Sequence, residues 1–349
     1  MWLHKAELTH VQRGVLEHAY PDLHALWRDM EHGAARKAVG ETVFGKLKLV
    51  YDPDALAREV AEAEKQDVHI LTYADERYPD TLRNIPDYPY ALYYRGNVDL
   101  LATRCLAIVG TRRASVYGER MTKKFAAVLA QVGLTVVSGM ATGIDTYAHE
   151  AALDVNGKTI AVLGTGILRP YPATNGSLYD AIVDRGLVLS EYAGKQEGSN
   201  YSFPQRNRII AGISEGVLMA EGAEKSGGMI TVGRALEYGR QVFVLPGNAD
   251  ADSFQGNLKL IREAQGALVY RPAHIFEELG MRGGADKPTE RLQLDFFEAK
   301  IYELLALSEM TFDVLMERSD LTVSALAGLL TQMEMKGLVL RRGSLYYKA

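Results

Sequence analysis

The 349-residue chain has a single cysteine, Cys105. One thiol cannot form a disulfide within the chain, and it leaves a cysteine-based metal site without ligands. No apolar run reaches the roughly 18–20 residues that a membrane-spanning helix requires. The opening "MWLHKAELTH" has no apolar stretch of the kind that marks a secretion signal. These absences predict a reducing, cytoplasmic setting with no membrane partner. Low-complexity segments are absent as well. So is a surplus of charge: 39 Lys+Arg face 44 Asp+Glu, a net charge of -5. Bulk charge therefore does not announce a polyanion binder, and such a role would need basic groups gathered on one face.

What is present is alternation. The chain is 47% hydrophobic, enough for one large core or two. Residues 1–67 read as a helical domain, with an Asp-Pro start and helical apolar spacing in "DPDALAREVAEAEKQ" (52–66). Prolines 79, 86 and 89 break the next stretch into short strands and turns. From Cys105 onward, short apolar strands ("CLAIVG", "LTVVSG", "TIAVLG", "LVLSEY", "EGVLMAEG", "QVFVLPG") alternate with amphipathic helices. That order predicts right-handed βαβ units and a parallel sheet covered on both faces. The expected fold class is α/β: an extended Rossmann-like doubly wound parallel sheet over 68–278, with an N-terminal helical module and a C-terminal winged-helix module. A Gly-rich charged linker is expected over 279–294, and three helices with a hairpin over 295–349.

In a doubly wound sheet, ligands bind beyond the C-terminal strand ends. Here those ends carry "VGTRRASVYG", "SGMATGIDTYAH", "LGTGILRPYPATN" and "FPQRNR". Gly110, Gly139, Gly143, Gly166 and Gly227 would let backbone N–H groups approach a phosphate. Ser115, Thr142, Thr165 and Ser226 can donate to phosphate oxygens, and Arg112, Arg206 and Arg208 can form forked pairs with them. Arg113 reads equally as a ligand contact or a solvated charge. Tyr171 reads as packing or base stacking, and Phe203 more as core than as a stacking platform. His149 reads as a capping or packing residue, Asp145 as the cap of the following helix, and Glu191 and Glu221 as groups that orient arginines. The helix after "FPQR" is expected to begin near Asn207, with Arg206 on phosphate and Arg208 free to pair with Glu191 or Glu221.

Enzyme signatures are missing: no G-x-G-x-x-G follows the first strand, G-x-x-x-x-G-K-[ST] is absent, and "SEYAGK" is not a nucleophile elbow. No nucleophile with a matching acid/base pair stands out, so no catalytic residue, cofactor or metal is assigned. The expected recognition helix of the C-terminal module, "TVSALAGLLTQMEMKG", has one basic residue, Lys336, with Arg341 and Arg342 on the wing. Groove readers need more, so this module reads as a protein-interaction element.

Eight strings in order, "GTRRASVYG", "SGMATGIDTYAHEAAL", "LGTGILRPYP", "LSEY", "FPQRNRIIAGIS", "EKSGGMIT", "ALEYGRQVFVLPG" and "QGNLKLIREAQGALV", closely resemble the DprA/Smf family, the DNA-processing protein A of bacterial transformation. The resemblance covers roughly 68–270. Thr142 stands where a basic residue is common in that family. The resemblance implies a non-catalytic homodimer that binds single-stranded DNA without sequence preference, loads the recombinase RecA and counters single-strand-binding protein. A second reading, a Rossmann-like enzyme or sensor of small nucleotides, is disfavoured because "PGNADADSFQGN" replaces the "PGGxGT" motif that such hydrolases resemble one another in. A third is a structural hub dominated by the terminal modules.

Overall fold

The computed structural model describes residues 2–6, 8–281 and 294–348. They fall into two compact units, up to Gly280 and from Met281 onward. Most of the expected linker, residues 282–293, lies outside the described residues.

The first unit is organised by a nine-stranded sheet. Its strands are β1 (His69–Thr72), β2 (Ala91–Gly96), β3 (Cys105–Gly110), β4 (Thr135–Ser138), β5 (Thr159–Gly166), β6 (Leu187–Tyr192), β7 (Gly216–Glu221), β8 (Gln241–Val244) and β9 (Ala267–Leu268). Their order is β1-β2-β6-β5-β4-β3-β7-β8-β9. From β6 to β9 neighbouring strands run parallel, while β1 and β2 add an antiparallel margin. Strands β3 to β7 are buried along nearly their whole length, which is why they read as continuous apolar runs.

Between β3 and β7 the winding reverses. Chain order runs outward one way from β3 through β4 and β5 to β6, then returns to β7 and runs outward the other way. Helices Val116–Gln131 and Ile144–Asp154 pack against each other, as do helices Ser202–Gly212 and Gly227–Glu237. Val109, Val137, Val162, Leu189 and Met219 join Ile209, Ile210 and Val232 of the latter pair in the main core. Ala161, Leu163 and Val188 point into a second core with Leu153 and Ile182. Such a reversal leaves a crevice at the C-terminal strand ends, where adjacent loops diverge.

The N-terminal helices are short, and three of them are capped by a side chain, at Thr9, Asp22 and Asp52. Asp52 accepts a hydrogen bond from the Ala55 N–H and precedes Pro53, the start that the Asp-Pro pair predicts. Their core, including Leu16, Leu26, Met30 and Leu47, also takes in Tyr90 of the sheet unit. In the second unit, helices Phe296–Leu307, Phe312–Ser319 and Val323–Met335 precede β11 (Val339–Arg342) and β12 (Leu345–Lys348). A two-residue strand, β10 (Met310–Thr311), pairs with β12 to complete the winged-helix sheet. It is too short to leave an alternating pattern in sequence.

His149 is fully buried between the sheet and its helix. The Thr159 hydroxyl donates to the Val136 carbonyl, so its oxygen accepts from His149 Nδ1–H at 2.6 Å. Burial holds the His149 pKa down to about 3. A depressed histidine stays neutral in the folded state, while the unfolded chain takes up a proton below about pH 6.5. Stability therefore falls as pH falls through that window. Between pH 7 and pH 5 this one group should remove about 2 kcal/mol. Denaturant unfolding of wild type and His149→Gln at both pH values should show a smaller pH dependence in the variant.

Candidate functional site

The crevice at the reversal is a cleft of about 570 Å³. Five chain segments line it: Val109–Arg113 at the end of β3, Ala141 and Asp145 after β4, Tyr171 after β5, residues between Asn200 and Ile210 after β6, and residues between Ser226 and Thr231 after β7. Four of the motif loops singled out in the sequence thus meet at one place.

Local chemistry explains how the rim is held. Ser115 caps helix Val116–Gln131 by accepting from the Gly118 N–H at 3.0 Å. Its own N–H and hydroxyl both donate to Glu221 Oε2 at 2.9 Å. Glu221 therefore orients a helix start rather than an arginine. The loop after β4 has Met140 in the left-handed region, at a φ of 57°. That conformation costs a non-glycine residue about 1 kcal/mol or more. Its ties offset the cost: Asp145 Oδ2 accepts from the Gly139 and Ala141 N–H groups, and Asn175 Nδ2 donates to the Met140 carbonyl at 3.0 Å. Asp145 is the second residue of its helix and reaches back to the loop; the cap position itself is Gly143. Gly143 has a φ of +81°, and a Cβ there would lie 2.5 Å from the Thr111 carbonyl oxygen. Glycine is what allows this loop and the Arg112 loop to touch.

The segment "SFPQRNRIIAG" is helical from Ser202, not from Asn207. Pro204 falls in the first turn, where a missing N–H removes no helical hydrogen bond. The helix turns both later arginines inward. Arg206 is 5% exposed and donates through Nη1 to the Gly139 carbonyl at 2.7 Å and to the Val162 carbonyl, and through Nε to Asn207 Oδ1 at 3.1 Å. Burial lowers its pKa to about 10, with Asp145 acting in the opposite sense. It still carries its charge at neutral pH. Arg208 is buried too and donates to Glu191 Oε1 at 2.5 Å, one of the two pairings that the sequence left open. Thr165 is likewise internal and donates to the Arg169 carbonyl at 2.6 Å. Gly166 N–H donates to the Gln196 carbonyl at 2.8 Å.

The open charge lies elsewhere. Arg112 and Arg113 are exposed and, among the described residues, have no carboxylate partner. The Arg112 guanidinium sits 5.8 Å from the centroid of the Phe203 ring. Phe203 in turn packs at 4.9 Å against Tyr171, which is 44% exposed. Thr142 is exposed but is not among the residues that line the cleft, whereas Gly227 lines it and lies exposed at the start of helix Gly227–Glu237. Ser226 lines the cleft, but its hydroxyl is buried and has no hydrogen-bond partner among the described residues. Sequence reasoning passed over Asn200 and Ile230, which also line the cleft. Their positions in the "GSN" and "GMIT" stretches were the available signal. Among the described residues, no cluster of His, Cys, Asp or Glu could hold a metal, and no helix is long and apolar enough to cross a membrane.

A doubly wound sheet with a cationic, aromatic cleft at its switch point, joined to a winged helix, defines an α/β protein of the extended Rossmann type with a candidate ligand site. Comparison with known proteins narrows the class. The family model described as DNA recombination-mediator protein A matches residues 69–280, and the DprA winged helix domain model matches residues 285–343. The chain is 35% identical to the DNA processing protein DprA of Bacillus subtilis over 263 residues, which is 75% of this chain and 85% of that protein. It spans 53% of the Smf protein of Synechocystis and 58% of that of Escherichia coli. The X-ray structure of DprA from Streptococcus pneumoniae superposes with a TM-score of 0.67 at 36% identity, over 79% of this chain and 95% of that one. DNA processing protein A from Helicobacter pylori, whose structure is described in terms of a unique single-stranded DNA binding mode, gives a TM-score of 0.56 at 31% identity, over 61% of this chain and 95% of that one. The chain belongs to the DprA/Smf family of DNA processing proteins.

The two kinds of arginine respond differently to truncation. Arg206→Ala leaves two carbonyls and the Asp145 carboxyl without their cation and should cost roughly 3 kcal/mol. Arg112→Ala should change stability by less than about 0.5 kcal/mol. Urea unfolding of the two variants beside wild type measures the contrast.

Proposed function

We propose that this protein binds single-stranded DNA without sequence preference at the switch-point cleft. The observation that carries the reading is that two exposed cations with no carboxylate partner among the described residues, Arg112 and Arg113, line the same cleft as the Tyr171–Phe203 rings, with Arg112 against Phe203. Single-strand binders combine a basic track with aromatic faces, because every base has a π-face. Arg112 and Arg113 would take successive phosphates. Thr142 and the Gly227 N–H would add donors, and Tyr171 would stack a base. Arg206, Asn207 and Arg208 would act from behind, as the charged and rigid wall of the groove. No group is assigned a bond-making role, so the protein is read as a carrier and not an enzyme.

The family supports the wider role: protection of incoming single strands, displacement of single-strand-binding protein and delivery to RecA, all in the cytoplasm. Self-association would place two clefts on one strand and raise affinity through effective concentration.

Fluorescence anisotropy with an oligothymidine and with a duplex, across salt concentrations, tests the site. For about four neutralised phosphates the log-log salt slope should be near about -3. Arg112→Ala with Arg113→Ala should weaken binding and flatten the slope by about 1.4. Tyr171→Ala should weaken binding by about 1–3 kcal/mol and leave the slope unchanged. A slope unaffected by loss of both arginines would place the strand elsewhere.

A further inference from the structure

The first helix, Trp2–Lys5, is distant in sequence from the cleft but is tied to its scaffold. Trp2 is buried and its Nε1–H donates to the Leu47 carbonyl at 3.1 Å, while Lys5 pairs with Glu59. Between these two anchors, His4 leaves the N-terminal core and meets the end of β6. Its Nε2 lies 2.8 Å from the Glu191 carbonyl oxygen, and its Nδ1 lies 3.6 Å from Glu191 Oε1. A carbonyl can only accept, so Nε2 carries the proton and donates.

Glu191 is the point from which the cleft wall is registered. Its carboxylate holds Arg208, which stands in the same helix as Phe203, Arg206 and Asn207. Asp87 faces Arg208 from the other side, with its Oδ2 3.9 Å from Nε. The chain beyond Glu191 is bonded to the segment that leads to Tyr171: the Ile167 N–H donates to the Tyr192 carbonyl at 2.9 Å and the Leu168 N–H to the Gly194 carbonyl at 2.8 Å. Movement of Glu191 therefore displaces both cleft rings together. Nothing in packing alone requires an imidazole here, because the helix is already anchored on either side of it.

We propose that His4 is a positioning residue for the cleft: by fixing the Glu191 carbonyl, it lets the N-terminal helical region set the spacing of the Tyr171 and Phe203 rings and hence the affinity for a single strand. This rests on the single-strand reading above. It also makes the N-terminal region a modulator of the site, since whatever draws the first helix away loosens the wall.

The test uses the full chain with His4→Ala and His4→Gln, titrated with an oligothymidine. His4→Ala should bind about fivefold more weakly, with an unchanged salt slope, because the phosphate contacts are still made. The active fraction from stoichiometric titration should stay as in wild type, which separates a displaced wall from partial unfolding. His4→Gln keeps a side-chain N–H for the Glu191 carbonyl and should recover most of the affinity. Wild-type affinity in His4→Ala would overturn the proposal, as would equal losses in both variants. If wild type itself proves insensitive to Arg112→Ala with Arg113→Ala, the single-strand reading falls, and this proposal with it.

Discussion

The cleft depends on one buried cation. Arg206 joins the Gly139 carbonyl, just past β4, to the Val162 carbonyl within β5, and so ties two neighbouring strands to the helix that follows β6. Taking a guanidinium out of water is costly, and that cost is recovered only where oxygens converge on it. Here they do: two carbonyls, the Asn207 side chain and the nearby Asp145 carboxyl. A Cβ at position 139 would overlap the guanidinium, so glycine there is part of the same arrangement. With this point fixed, the loops after β4 and β6 are held to one another.

That rigidity divides the arginines by task. Arg206 and Arg208 are spent on carbonyls and on Glu191, within the protein. Arg112 and Arg113 remain free to face solvent. The division accounts for a chain of net charge -5 in a family of DNA processing proteins. Arg112 and Arg113 have no carboxylate partner among the described residues, and the neighbouring loops are held by Ser115, Glu221 and Asp145. Placing Arg112 against the Phe203 ring adds a cation–π contact that keeps the guanidinium on the rim.

Much of this was legible in the amino-acid sequence. Buried parallel strands leave unbroken apolar runs, so β3 to β8 were readable, as was their grouping of motif loops at one sheet edge. The winged helix followed from helix order and the alternation around Gly343. Arg208 with Glu191 was among the pairings weighed. The destination of Arg206 was not readable, because its partners are backbone carbonyls 67 and 44 residues away, and a carbonyl has no signature in sequence. Helix Ser202–Gly212 begins five residues before the expected start near Asn207, because Pro204 falls in its first turn, where a missing N–H is tolerated. Asp145 looked like a cap, and only the left-handed turn at Met140 shows why it bends back to the loop instead.

The account's central claim is that a single strand lies across the Arg112 rim with a base on Tyr171. Photo-crosslinking an iodouracil-substituted oligothymidine to the full chain, followed by mass spectrometry of the peptides, tests it most directly. The account predicts adducts on Tyr171 and on the 200–206 segment, lost when Arg112 and Arg113 are both replaced by Ala. Adducts confined to residues 296–348 would contradict it.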